Sequence, residues 1–238
     1  MPLPPLPRVP RASRHAGARA ALAGLSLVAA LHAPAPALAA PEPTPRAQAD
    51  AAFRLAAGGD QEAIATAAER WTALAGARPA DPIAQAYAGA ATTLRALTTW
   101  MPWRKLAHVE DGLARIDKAL ALLSPALEQA APGGVAPALE TRFVAARTWL
   151  ALPSMFNRGE RGAQLLAAVL ADPHLASSAP EFRASVWLFA GQQAQRQGDA
   201  AAARRWLQRA ADTATDPAAN PATAATAAQA ARLRGEMR

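Results

Sequence analysis

Two interleaved sets of helix breakers divide a chain that otherwise favours helix almost throughout, and they constrain the architecture more than any other feature. Pro82, Pro125, Pro173 and Pro217 stand 43, 48 and 44 residues apart, three of them preceded by aspartate (Asp81, Asp172, Asp216) and one by Ser124. A residue before proline is pushed away from helical geometry, so these positions are helix ends. Between them fall Gly58-Gly59-Asp60, Trp100-Met101-Pro102-Trp103, residues 153–159 and Gly198-Asp199. The intervening sequence is rich in Ala, Leu and Arg and lacks any long alternating run of β-branched or aromatic residues, which reads as all-α.

Alternating the two sets gives four helix pairs, predicted at 47–57 with 61–76, 83–99 with 104–123, 137–152 with 160–171, and 180–197 with 200–214. The second helix of the second pair is the clearest. Leu106, Val109, Leu113, Ile116, Leu120 and Leu123 recur at steps of three and four, while Glu110, Asp111, Arg115, Asp117 and Lys118 fill the opposite face. Such a stripe is core. A single hairpin cannot bury its apolar face alone, so neighbouring pairs must stack. Residues 218–238, Ala-rich with few large apolar side chains, are either a capping helix or a frayed tail.

The last pair carries the most specific pattern. Across residues 183–217, Trp187, Gly191, the Gly198-Asp199 turn, Ala203, Leu207 and Ala210 follow at the offsets where two short antiparallel helices need bulky, small, turn, small and bulky residues in order. This stretch resembles the tetratricopeptide repeat (TPR), although Ala190 and Ala194 replace the family's leucine and tyrosine. The spacing of the breakers also exceeds the roughly 34 residues of the standard repeat, implying longer helices or inserted loops. The resemblance implies antiparallel helical hairpins stacked as a TPR-like solenoid, about four helix pairs plus a C-terminal capping helix. It further implies a concave groove lined by the first helix of each hairpin. In residues 183–217 that places Ser185, Leu188, Gln192 and Gln195 toward a ligand. Gln192 and Gln195 then either hydrogen-bond an extended peptide or are ordinary solvated residues.

Residues 1–39 read as a signal peptide. Arg8, Arg11, Arg14 and Arg19 precede an apolar run over 20–33, and Ala37-Leu38-Ala39 offers the small residues a signal peptidase requires, with cleavage after Ala39. The apolar run is short for a bilayer span, so no stable membrane span is expected after cleavage. There is no twin-arginine pair, which favours export of the unfolded chain. A Pro-rich linker at 40–46 leads into the helical domain at 47–217. The leader takes four of the 25 basic residues and none of the 18 acids, leaving a formal charge of only +3 on residues 40–238. That balance argues against nucleic acid as a partner. The chain has no cysteine, which excludes a lipoprotein anchor, disulfides and a thiol nucleophile.

A search for chemistry returns little. Beyond the leader only His108 and His174 remain, on separate hairpins and without metal-ligand spacing. No G-x-S-x-G elbow, P-loop or dinucleotide glycine motif occurs. Glu140 and Glu160 stand at helix starts, where an acid suits the helix dipole. Glu110 and Asp111 are adjacent on one helix and point apart. No catalytic residue, cofactor or metal is therefore expected, and the chain reads as a non-enzyme.

Two loops stand out. Trp100-Met101-Pro102-Trp103-Arg104-Lys105 and Pro153-Ser154-Met155-Phe156-Asn157-Arg158 share a mix of proline, methionine, aromatic and cationic residues. Each joins the first helix of a pair to the second, so stacking is expected to bring them to one edge. There Trp100, Trp103, Arg104, Lys105, Phe156, Asn157 and Arg158 form either a protein-binding rim or a set of plugs over the hairpin ends. The leading expectation is a periplasmic or secreted TPR-like protein-binding scaffold or assembly adaptor, with a protein or peptide partner in the cell envelope. The alternatives are an all-helical hydrolase or lyase acting on envelope polymer, which needs a deep cleft with a raised-pKa acid, and an apolar-ligand carrier, which needs an enclosed cavity.

Overall fold

The computed structural model describes residues 42–130 and 134–237, and the expected signal peptide lies outside the described residues. Among the described residues there is no strand. Ten helices follow in order: α1 (Pro45–Ala57), α2 (Gln61–Ala77), α3 (Pro82–Leu94), α4 (Pro102–Ala121), α5 (Pro137–Ala151), α6 (Gly159–Ala171), α7 (His174–Ser177), α8 (Pro180–Arg196), α9 (Ala200–Asp212) and α10 (Pro221–Glu236). The segment Pro43–Arg238 forms a compact unit of its own and holds the whole described core.

The breakers act by identifiable local chemistry. Pro45, Pro82, Pro102, Pro137, Pro180 and Pro221 each open a helix, where the missing N–H costs nothing. At the three Asp-Pro steps the aspartate is extended, and its carboxylate accepts a backbone N–H just downstream: Ala84 to Asp81 at 3.1 Å, His174 to Asp172 at 2.8 Å and Ala218 to Asp216 at 2.9 Å. Asp60 and Asp199 cap α2 and α9 in the same manner. They follow Gly59 and Gly198, whose positive φ of 103° and 79° turns the chain between paired helices. Three features differ from expectation. The helix expected over 83–99 ends at Leu94 and gives way to a 3-10 turn over Arg95–Leu97. Pro45 and Arg46, assigned to the linker, are the first turn of α1, with Thr44 accepting the Ala47 N–H. Residues 174–177 form the extra helix α7, which no apolar period announced.

The helices pack as α1 with α2, α3 with α4, α5 with α6, and α8 with α9, while α10 lies against both α8 and α9. Their apolar contacts form four clusters that succeed one another along the chain. The first joins α1, α2 and α3 around Ile64 and Trp71, and another joins α4 and α5 around Ile116 and Trp149. The next joins α5, α6, α7 and α8 around Phe143 and Val186. The last joins α8, α9 and α10 around Leu207 and Ala230, so the C-terminal stretch is docked as a helix. Close approach at glycine replaces bulk. A Cβ on Gly191 would lie 2.7 Å from Leu207, and one on Gly89 would lie 2.6 Å from the Gly112 carbonyl and 2.8 Å from Ile116.

Gly89 and Gly76 make a matched test of this packing. Helix propensity alone favours alanine over glycine by about 1 kcal/mol at either site. At Gly76 nothing lies within 4 Å of an added Cβ, so Gly76→Ala is expected to stabilise by ~0.5–1 kcal/mol. Gly89→Ala is expected to destabilise by ~1–3 kcal/mol because the α3–α4 backbones must part. Denaturant unfolding of the two variants reads both signs, and a stabilising Gly89→Ala would show that the crossing is not tight.

Candidate functional site

The most unusual chemistry lies where α1, α3, α5 and α8 face one another. Arg46 on α1 donates to Glu140 on α5 at 2.8 Å, across ninety-four residues of sequence, and also approaches Asp50 one turn along at 3.6 Å. The Arg46 guanidinium lies over the Trp71 ring, 5.9 Å from its centroid. Tyr87 on α3 stacks on Trp71 at 4.4 Å and receives the edge of Phe53 at 5.0 Å. These contacts fix α1, α3 and α5 together through one ion pair and one aromatic group.

Burial dominates the electrostatics. Glu140 is almost fully buried, and desolvation raises its pKa more than the attraction of Arg46 and their hydrogen bond lower it. Desolvation raises Asp50 as well, against the pull of Arg46 and Arg54. Burial, reinforced by Glu140 and Asp50, pushes the Tyr87 phenol well above its ordinary value. Burial opposes the charge on Arg46, yet Glu140 and Asp50 together hold its pKa above the ordinary guanidinium value.

Arg147, two turns beyond Glu140 on α5, has no such support. It makes no ion pair or side-chain hydrogen bond among the described residues. Its guanidinium lies 5.9 Å from the centre of the Phe53 ring, and burial depresses its pKa. It lines a narrow crevice of about 20 Å³ together with Phe53, Tyr87, Phe143, Val144 and Thr148. That volume suits about one water. Sequence reasoning assigned Glu140 to a helix start, and the acid does occupy the first turn of α5. Its burial and its partnership with Arg46 were invisible because the partner stands so far away in the chain. Nothing in the sequence singled out Arg147.

The two aromatic loops have different fates. Phe156 is half-buried against the cluster of Val109, Leu113, Ile116, Ala145 and Trp149. Arg158 donates twice to Asp117 on α4, at 2.8 and 3.2 Å, and lies 5.2 Å from the Trp149 ring centre. Asn157 takes a left-handed conformation, φ 50°, at the turn into α6. Phe156 and Arg158 thus fold onto α4 and α5, while Met155, 75% exposed, and Asn157 face solvent. By contrast Trp100 and Trp103 are 78% and 65% exposed, and Arg104 and Lys105 are exposed beside them. The residues expected to share a rim are therefore divided: Phe156 and Arg158 pack inward, whereas Trp100, Trp103, Arg104, Lys105 and Asn157 are exposed.

Gln192 and Gln195 are half-buried on α8. Leu188, expected to share their ligand-facing row, packs instead against Leu207, Ala210 and Ala230. The neighbouring Gln193 is buried, and its Nε2 has no hydrogen-bond partner. His108 is half-buried, and burial and the charge of Arg95 lower its pKa, while His174 bonds Asp172 through Nδ1 at 3.1 Å. Among the described residues no group of three or more His, Asp or Glu is placed to hold a metal ion, and no helix is long and apolar enough to cross a membrane. Comparison of the chain with protein-family models, curated proteins and solved structures finds no match in any of the three.

Two measurements check this geometry. Phe156→Ala is expected to lower stability by ~1–2 kcal/mol, whereas Trp100→Ala and Trp103→Ala change it by less than ~0.5 kcal/mol. Equal effects in a denaturation series would mean that the two loops are packed alike. The second concerns pH. Folded Glu140 holds its proton more tightly than the unfolded chain does. Its stabilising contribution is therefore complete below the ordinary carboxylate range, and is lost as pH rises through the folded value. The stability of Glu140→Gln relative to wild type is expected to rise as pH climbs upward from the ordinary carboxylate range. A difference that stays flat across this window would contradict the burial of a charged carboxylate.

Proposed function

We propose that the chain is a TPR-like solenoid that acts as a protein-binding scaffold or assembly adaptor for an envelope complex, periplasmic or secreted after cleavage following Ala39. It binds a protein or peptide and turns nothing over. Several observations support this reading. The helices pair as hairpins whose apolar clusters follow chain order. In residues 183–217 Gly191 lies against Leu207, while Ala203 and Ala210 are fully buried, as the repeat pattern requires.

The observation that carries the functional part is Arg147. Arg147 is a half-buried cation with no acid beside it, and a ligand carboxylate would complete it. A peptide's side-chain or chain-end carboxylate would meet Arg147 at the mouth of the crevice, beside the rings of Phe53, Tyr87 and Phe143, because the crevice itself admits about one water. In this reading the recognition surface is the face shared by α1, α3, α5 and α8, with Gln192 and Gln195 hydrogen-bonding farther along. Phe156 and Arg158 serve packing.

The hydrolase reading gains one observation, the buried Glu140 with its raised pKa. Its carboxylate is held by Arg46, however, and does not line the crevice. The carrier reading needs an enclosed apolar space, and the crevice admits little more than water.

The test is affinity capture from solubilised envelope with immobilised Pro43–Arg238. One stoichiometric protein is expected, with capture weakened at least ~30-fold by Arg147→Ala. Gln192→Ala with Gln195→Ala should weaken it less. Recovery of nothing, together with release of soluble fragments from cell-wall material, would replace the scaffold by an enzyme.

A further inference from the structure

The end of the α3–α4 hairpin is built unlike the rest of the molecule. Between Thr93 and Val109 no residue is buried, and the first two turns of α4, residues 102–107, are exposed on every side. At 1.5 Å per residue this end projects roughly 10 Å beyond the packed body. Its tip carries four large apolar side chains in the open: Leu97, Trp100, Trp103 and Leu106. Trp103 and Leu106 stand one turn apart on the same side of α4.

The charge of this tip is of one sign. Arg95, Arg104 and Lys105 are exposed and make no ion pair or side-chain hydrogen bond among the described residues. The sequence contains no acid from Pro82 to Val109. The positive field is felt locally: after burial, the nearby charges of Arg95 and Arg104 help lower the pKa of His108, against Asp111.

We propose that this hairpin end docks the protein on an anionic phospholipid surface. Leu97, Trp100, Trp103 and Leu106 enter the headgroup boundary, and Arg95, Arg104 and Lys105 neutralise lipid phosphates. Indole rings have an apolar body and a polar N–H, which suits the membrane–water interface. A projecting, convex tip can enter a bilayer, whereas a protein partner of ordinary size needs a broad complementary patch. With no membrane-crossing helix among the described residues, such an attachment is peripheral and reversible. It does not depend on what the face around Arg147 recognises.

The experiment is co-sedimentation of Pro43–Arg238 with vesicles of phosphatidylcholine doped with phosphatidylglycerol, beside vesicles of phosphatidylcholine alone. Binding is expected to the doped vesicles, to fall with added salt, and to shift the tryptophan emission to the blue. Arg104→Ala with Lys105→Ala should weaken it about 30-fold at low salt, near 1 kcal/mol for each cation. Trp100→Ala with Trp103→Ala should weaken it about ten-fold or more while leaving the helical circular-dichroism signal unchanged. Failure to sediment with doped vesicles at low salt overturns the proposal. So does equal binding by wild type and both variants, or equal binding to phosphatidylcholine alone. Trp100- and Trp103-dependent capture of an envelope protein without vesicle binding likewise overturns it, and would make the tip a protein-docking surface.

Discussion

At the crossing of α3 and α4 the two backbones are separated by little more than hydrogen atoms, and much of the fold follows from that closeness. The core is largely alanine, with scattered Leu, Val, Ile and a few rings. Small side chains bury little area each, so dispersion and apolar burial accumulate only if helices approach one another tightly. Gly89, Gly112 and Gly191 provide that approach within the α3–α4 and α8–α9 pairs. The large residues then fill the joints between pairs. Trp71 seals the first hairpin against α3, Trp149 seals α4 against α5, and Phe143 meets Phe182 and Phe189 edge-on between α5 and α8. Without cysteine there is no covalent reinforcement, and packing of this kind carries the whole burden.

Superimposed on that sequential packing is a set of long-range polar contacts from α1. Arg46 reaches α5 and Arg54 reaches Glu181 on α8, across 127 residues of sequence. A stack in which each pair touched only its neighbours would leave α1 free of α8. Here the first helix spans the face shared by α1, α3, α5 and α8, burying Glu140 and half-covering Tyr87 and Arg147. This coverage makes that face narrow. It also makes the electrostatics there strong, because desolvation outweighs the ion pair at both carboxylates.

How much of this was legible follows from how local each signal is. Glycine turns, Asp-Pro steps and the leucine stripe act within a few residues, so the four hairpins could be read off with ends in error by only a few positions. The fate of the two aromatic loops could not. Both contain proline, methionine, aromatic rings and cations, and what separates them is that Asp117 and the Trp149 ring await Arg158, while nothing awaits Arg104. The Glu140 site was hidden for the same reason: the local environment is that of a helix-opening acid, and only the folded chain brings Arg46 to it. α7 is a single turn set by Asp172 and Pro173, too short for any hydrophobic period to reveal.

Glu181 occupies a position whose consequence is mechanical. Its two oxygens receive Arg54 from the first helix and Asn220 from the loop that leads into the last one, at 3.3 and 3.0 Å. Both contacts are exposed, and an ion pair in such a setting contributes no more than about 1 kcal/mol. The opposite extremities of the folded unit are thus buttoned to one carboxylate by a fastening that thermal motion can undo. That fastening closes α1 against α8 only weakly, whereas the part-buried Arg46–Glu140 pair clamps α1 to α5 beside Arg147.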